Sequence, residues 1–341
     1  MLKKVAPQFS SIMPGILVAA ISLLFLSCRS LTSIDDHALV LPSARIETRQ
    51  APAADELSSP TRVVVLGTGT PIPDAFRAGP SIAVIHKGES YLFDAGAGAV
   101  RQATIARYKY DIPSLYPSEI CCVFLSHLHS DHTLDLSELA HTLWWRRSES
   151  LQAWGPAGIE RMANALLELI AADADFRING LQPVANPDGY KIQHHTIRPG
   201  TLLEKDDLLI EAFVVNHGDI EPAYGFKVTT DDLSLVISGD TAYSEVIAEK
   251  SQGVDLLFHE VISRQGLERN SPDFQRYHNS VHTTSDELAR LAVIARPGKL
   301  VLYHGLFYGS EESTVLDEIR AIYDGEVILA DDLQSFSSER R

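Results

Sequence analysis

Four potential metal ligands fall within six residues in Ser126-His127-Leu128-His129-Ser130-Asp131-His132. Imidazole and carboxylate suit zinc, and a catalytic zinc needs about three protein ligands with one position left open for water. In an extended turn His127 and His129 face one way, and a helical turn after them carries Asp131 and His132 to a neighbouring point. Two adjacent ions are therefore expected, and further ligands must arrive from elsewhere in the chain. Candidates are His217 in Val215-Asn216-His217-Gly218, Asp240 in Ser238-Gly239-Asp240-Thr241, and His304 in Leu302-Tyr303-His304-Gly305. Each follows an apolar, strand-like run. Isolated histidines are more often surface or hydrogen-bonded core residues, and His37, His86, His141, His194 and His195 are read that way.

The elements that must position these residues are visible as patterns. Apolar runs predict strands over 62–66, 120–125, 208–215, 224–228, 233–238, 254–258, 300–303 and 326–330, with a hairpin over 82–93 that turns at Lys87-Gly88. A helical stretch is expected over 134–145. Ile159, Met162, Ala163, Leu166, Leu167 and Ile170 recur at helical spacing. Thr284 with Glu287 forms a capping-box pattern ahead of Leu288, Leu291, Ala292 and Ala295. Ser310 is expected to cap a last helix carrying Leu316, Ile319 and Tyr323. Two sheets with outer helices follow, an α/β layering that leaves strand-end loops free to build a site.

The chain of 341 residues carries 29 basic against 45 acidic residues, a formal charge of −16. Such a surface is expected to repel polyanions, and no basic run suggests a nucleic-acid footprint. Residues 1–28 open with Lys3 and Lys4, continue through an apolar run and end in Phe25-Leu26-Ser27-Cys28, which reads as an export signal and resembles a lipobox. Residues 29–60 read as a flexible tether, and a hydrolase domain is expected over 61–335. Cys121 and Cys122 are adjacent in a strand-like run, so they are expected on opposite faces of a buried strand without a disulfide framework.

His-x-His-x-Asp-His, followed by lone His, Gly-Asp and His at strand ends, resembles the metallo-β-lactamase superfamily over about 63–333. Within it, Leu66-Gly67-Thr68-Gly69-Thr70-Pro71, Phe93-Asp94-Ala95-Gly96 and His282-Thr283-Thr284 are similar to the ribonuclease Z and zinc arylsulfatase branch. The resemblance implies a four-layer αββα sandwich and two Zn2+ per chain. It places His127, His129 and His217 on one zinc, Asp131, His132 and His304 on the other, and Asp240 between them. A hydroxide between the metals is then the nucleophile, and Asp131 orients it. His282 protonates the leaving group with Glu260 behind it, His278 being the alternative donor, and Asp94 orients a liganding histidine. Trp144, Phe307 and Tyr308 are candidates for a pocket wall, but aromatics near helix or strand ends are more often core, and they are read that way.

On the arylsulfatase side of that branch, the expected function is an exported hydrolase of small phosphodiesters or aryl sulfates, periplasmic or at the cell surface. Its expected partner is a small anionic ester, with membrane contact only through lipidated Cys28. The ribonuclease Z alternative is set aside because only 23 positions separate His217 from Asp240, too few for a tRNA-gripping arm. Export and acidity argue the same way, so no nucleic acid is expected. The same residues would also serve a lactone hydrolase or a non-enzymatic, lipid-anchored metal-binding protein.

Overall fold

The computed structural model describes residues 60–338. The leader, lipobox and tether expected ahead of this segment lie outside the described residues.

The first sheet begins with β1 (Arg62–Gly67), where Val63 and Val65 enter the core between the sheets while Val64 and Leu66 point the opposite way. This alternation is the two-residue period of a strand buried on both faces. β2 (Ser81–His86) and β3 (Glu89–Phe93) form a hairpin whose turn residues, Lys87 and Gly88, both have positive φ (46° and 78°). Such a turn matches the right-handed strand twist. β4 (Cys122–Phe124), β5 (Leu151–Gly155) and β6 (Ile192–Thr196) continue the sheet in parallel. Outside it lie α1 (Ala99–Tyr110) and, beyond the short α2 (Ser130–Thr133), α3 (Leu136–His141) and α4 (Ile159–Ile178), whose apolar faces share a core with the sheet's outer residues.

The second sheet contains β7 (Gly200–Lys205), β8 (Leu208–Val215), β9 (Ala223–Thr229), β10 (Ser234–Ile237), β11 (Leu256–Ile262), β12 (Lys299–Leu306) and β13 (Val327–Leu329). Its order is β13-β12-β11-β10-β9-β8-β7. Of its helices α5 (Glu245–Lys250), α6 (Arg264–Glu268), α7 (Pro272–Val281), α8 (Ser285–Ala295) and α9 (Glu312–Arg320), α5, α8 and α9 cover its outer face. The chain then returns as β14 (Ser335–Ser337) to pair with β1. The inner faces meet through Phe93, Phe124, Phe226 and Phe258, giving the αββα sandwich. β10, β11, β12 and β13 are parallel, and β8 runs the same way because β9 opposes both its neighbours. The carboxyl ends of β4, β8, β10 and β12 therefore gather at one edge, where loops can converge on a ligand.

Three local expectations change. The helix over 134–145 stops at His141, and after Thr142 the chain takes positive φ at Leu143 before a single 3-10 turn over Trp144–Arg146. Buried Arg147 accounts for the stop: its guanidinium donates to the Leu139 carbonyl where the next helical N–H would, and to the Pro117 and Ile120 carbonyls of the segment before β4. Ser310 is not the cap of α9, whose N-cap is Glu311; its backbone instead closes a turn onto Phe307. Cys121 and Cys122 are joined to one another rather than facing apart. That bond links neighbours in sequence and ties no distant segments together.

Candidate metal centre

β4 delivers the chain to His127, and His129 stands at the N-cap of α2 with extended backbone (φ −63°, ψ 150°). Asp131 and His132 occupy the first turn of that helix, turned toward the same point. His217 follows β8, Asp240 follows β10, and His304 lies within β12 at a positive φ of 50°. Gly239, at φ 60°, precedes Asp240; a Cβ there would lie 2.7 Å from the Tyr224 carbonyl and 2.9 Å from the Ser126 Cβ, so only glycine fits the turn.

These seven side chains meet in one cluster. His127, His129 and His217 form one triad, Asp131, His132 and His304 another, and Asp240 lies between them. His127 Nε2 is 3.0 Å from His129 Nδ1, which is 3.3 Å from His217 Nε2. Asp240 reaches His132 Nε2 at 3.3 Å, His304 Nε2 at 3.2 Å and His127 Nε2 at 4.0 Å. Asp131 lies 3.5 Å from His132 and 3.8 Å from His304. All but His129 are buried.

Hydrogen bonds behind the cluster fix which nitrogen faces inward. His217 Nδ1–H donates to the Val281 carbonyl at 2.8 Å, and His304 Nδ1–H donates to the Gly69 carbonyl at 2.6 Å. Asp94 accepts from His132 Nδ1 at 2.8 Å and from both the backbone N–H and hydroxyl of Ser126. Because the Ser126 hydroxyl proton is directed to Asp94, its oxygen accepts from His127 Nδ1 at 3.0 Å. When neutral, the rings of His127, His132, His217 and His304 thus present Nε2 lone pairs to the cluster, whereas His129 faces it through Nδ1. Asp94 itself holds a positive φ of 60°, a conformation that asparagine and aspartate adopt more readily than bulky residues.

This donor set fits metal ions. Asp131 Oδ2, His132 Nε2 and Asp240 Oδ1 are buried without any hydrogen-bond partner. Lone pairs of His132 and His304 face the Asp240 carboxylate, an arrangement that requires a proton or a cation between them. In the metal-free protein burial pushes His127, His129 and His217 below the ordinary imidazole range. Burial acts the same way on His132 and His304, but Asp240, with Asp94 beside His132, outweighs it and raises both. Burial would raise Asp240; His304 and His132 instead hold it well below the usual carboxylate range. A divalent cation in place of those protons satisfies the same carboxylate.

His282 caps the C-terminus of α7, its ring centroid 5.6 Å from that of His217 and 6.3 Å from that of His304. Its Nδ1 lies 3.4 Å from Glu260 Oε2, an ion-pair distance without hydrogen-bond alignment. Glu260 is held by the Thr283 N–H at 2.7 Å. Burial lowers His282, but Glu260 outweighs it, so the imidazole is raised. His278 lies one turn back in α7 and spends its Nδ1 on the Phe274 carbonyl. Trp144 is fully buried and donates to Asp173, which removes it from any pocket. Phe307 packs against the outer core of the second sheet, and Tyr308 faces Phe274 and His278. A cleft of about 180 Å³ opens beside Asp131, lined by Pro71, Ile72, Pro73, Arg77 and Leu134 among others.

Sequence reasoning assigns no role to Ser126 or to the carbonyls of Val281 and Gly69. Ser126 stands beside His127 and carries a signal in its position; the carbonyls carry none, since any residue type supplies one.

Residues 89–305 match the family described as Beta-lactamase superfamily domain. A protein of Mycobacterium marinum named ribonuclease Z is 31% identical over 287 residues, covering 80% of this chain and 96% of that relative. A Mycolicibacterium gilvum protein of the same name is 29% identical over 283 residues, covering 80% and 94%. Among solved structures, the short form of human tRNase Z superposes with a TM-score of 0.61 at 22% identity, covering 81% of this chain and 99% of that one. The metallo-beta-lactamase fold protein YhfI of Bacillus subtilis gives 0.61 at 20% identity, covering 82% and 100%. At those identities the two structures speak for the fold.

The relatives correct two expectations, that of a hydrolase of aryl sulfates or small phosphodiesters and that of a chain without nucleic acid. The short gap between His217 and Asp240 is no obstacle, because matching 96% of the M. marinum protein over 287 residues leaves no room there for a long insertion. Nor does a formal charge of −16 decide the matter, since it sums the whole chain while a nucleic acid meets only part of the surface. The chain belongs to the metallo-β-lactamase superfamily, in its ribonuclease Z-like branch, and is a metal-dependent hydrolase.

Proposed function

We propose that the protein is a zinc-dependent endoribonuclease of the ribonuclease Z type, hydrolysing phosphodiester bonds in RNA. The observation that carries this reading is the pair of ligand triads sharing Asp240, with His282 and Glu260 at their margin. Relatives named ribonuclease Z supply the substrate class. His127, His129 and His217 would hold one zinc, Asp131, His132 and His304 a second, with Asp240 contacting both. Three protein ligands and a shared carboxylate leave room at each ion for water and substrate. When bound, two such cations supply Lewis acidity toward phosphoryl oxygens and make water acidic near neutral pH.

The chain's own residues do the rest. Asp131 would lend Oδ2 to the second ion beside His132 and His304, and its remaining carboxylate oxygen would orient the attacking water and accept its proton. His282 carries a proton beside Glu260 and delivers it to the departing ribose oxygen, so no free alkoxide forms. Glu260 keeps that imidazole protonated, and the Thr283 N–H keeps Glu260 in place.

The test is cleavage of a transfer RNA precursor by the zinc-loaded protein, with an unstructured RNA beside it. Site-specific cleavage, lost on chelation and restored by zinc, is the expected result. A metal-loaded protein that leaves every RNA intact contradicts the reading.

A further inference from the structure

Beside the proton donor stands an aromatic wall built by α7 and the turn after β12. The His278 ring stacks on Phe274 at 3.9 Å between centroids and 27° between planes. Tyr308 meets Phe274 edge-on at 5.0 Å and His278 at 5.1 Å, and Tyr277 meets His278 edge-on at 4.9 Å. His278 in turn lies 6.0 Å from His282 between ring centroids, with the two rings 21° from parallel. Phe274 and Tyr308 pack on Ile262, Leu267 and Leu306, so the base of the wall is fixed by a small core of its own. Tyr277 is 56% exposed and takes no part in that core.

Two further features single out this wall. Tyr308 has φ +45°, an outlier for a bulky side chain and a kind of strain that gathers at functional sites. Exposed Arg269 donates to the Gly309 carbonyl at 3.0 Å, next to Tyr308, and to Gln265 at 2.9 Å. Its neighbours Arg264 and Arg276 pair with Asp286 and Asp273, whereas Arg269 has no carboxylate at ion-pair distance among the described residues. In a chain with 45 acidic residues, a guanidinium left without one is available to a phosphate.

A group that protonates the leaving oxygen lies on the leaving side of the phosphate, so the nucleoside departing with that oxygen lies against the wall around His282. Aromatic faces accept any base by stacking, and arginine accepts the neighbouring phosphate. We propose that Tyr277, Tyr308 and Arg269 form the subsite for the leaving-side nucleotide of an RNA substrate, the tyrosines taking its base and Arg269 its adjoining phosphate. This rests on the endoribonuclease reading.

The test uses the zinc-loaded full chain and a short single-stranded RNA with an uncleavable methylphosphonate at the mapped cleavage position. A matched RNA lacks the leaving-side base, and binding is read by fluorescence anisotropy. Tyr277→Ala should weaken the base-bearing RNA by about 5- to 150-fold and leave the abasic RNA unchanged. Tyr308→Leu should repeat that pattern. Arg269→Gln should weaken both RNAs alike and reduce the salt slope by about 0.7. Equal losses on both RNAs for the tyrosine variants, or no loss on either, overturn the subsite while leaving the endoribonuclease reading intact. A wild-type protein that neither binds nor cleaves RNA overturns both. Because Tyr277 stands outside the core, an unchanged melting temperature for its variant separates lost stacking from lost fold.

Discussion

The two ends of the sandwich treat buried polar groups in opposite ways. At the edge where β4, β8, β10 and β12 deliver their ligands, Asp131 Oδ2, His132 Nε2 and Asp240 Oδ1 are buried without hydrogen-bond partners. Where β1 enters, the polar groups satisfy one another. Asp232 accepts from the Thr61 N–H, the Thr61 hydroxyl and the Thr230 hydroxyl, and His86 bridges Thr61 to Asp207. An unpaired buried polar atom costs about 1–3 kcal/mol, more when charged, so a fold tolerates several together only where something else completes them. The closed end is finished by the chain itself; the open end leaves donors that suit a metal ion.

That contrast breaks most visibly at Asp240. Asp240→Ala should lower kcat/KM for RNA cleavage by on the order of 10³ or more, because it removes the one carboxylate common to both triads. Melting of the metal-free variant should fall, since the mutation removes one partner of a buried charged cluster and leaves His132 and His304 without their carboxylate. Asp94→Ala comes next. Asp94 holds His132 directly and His127 through Ser126, so metal affinity should fall by about 10- to 100-fold, as read by competition with a chelating dye. Ser126→Ala, which disturbs only His127, should give the smaller part of that loss.

The closed end should answer differently. Asp232→Ala leaves the Thr61 donors without their acceptor and should cost about 1–3 kcal/mol in urea unfolding, with metal content unchanged. A smaller effect concerns pH. A hydrogen bond from Lys87 holds Asp207 well below the usual carboxylate range; burial would raise Asp232, but hydrogen bonds from Thr61 and Thr230 outweigh it. Both folded values lie below the unfolded ones. Their stabilisation is therefore complete above the ordinary aspartate value of about 3.9 and is lost as pH falls through the depressed values. Asp232→Asn should flatten the acid limb of the wild-type stability profile, and an unaltered limb would place the acid sensitivity elsewhere.

The residues of the cluster could be found in the sequence because four of them crowd into residues 127–132 and the others follow apolar runs. What orients them could not. Ser126 meets Asp94 across 32 positions, His217 meets Val281 across 64 and His304 meets Gly69 across 235, contacts that exist only once the sheets have stacked. Strands such as β8, with alternating or continuous burial, were plain in the apolar pattern, whereas β6 and β7 carry few buried residues and present no such pattern. Helix α3 ends early because of Arg147, whose three carbonyl partners lie on two separate segments. Substrate class was the least legible property, since net charge averages over surfaces that a substrate never meets.

A two-ion endoribonuclease can be tested most directly by loading the protein with zinc, counting the bound ions, and offering a transfer RNA precursor to wild type and to Asp240→Ala in parallel. About two zincs per chain in the wild type, as the two open triads imply, with cleavage at a defined position that the variant has lost, is the predicted result. Full metal loading with no cleavage of any RNA, or equal cleavage by the Asp240→Ala protein, would contradict it.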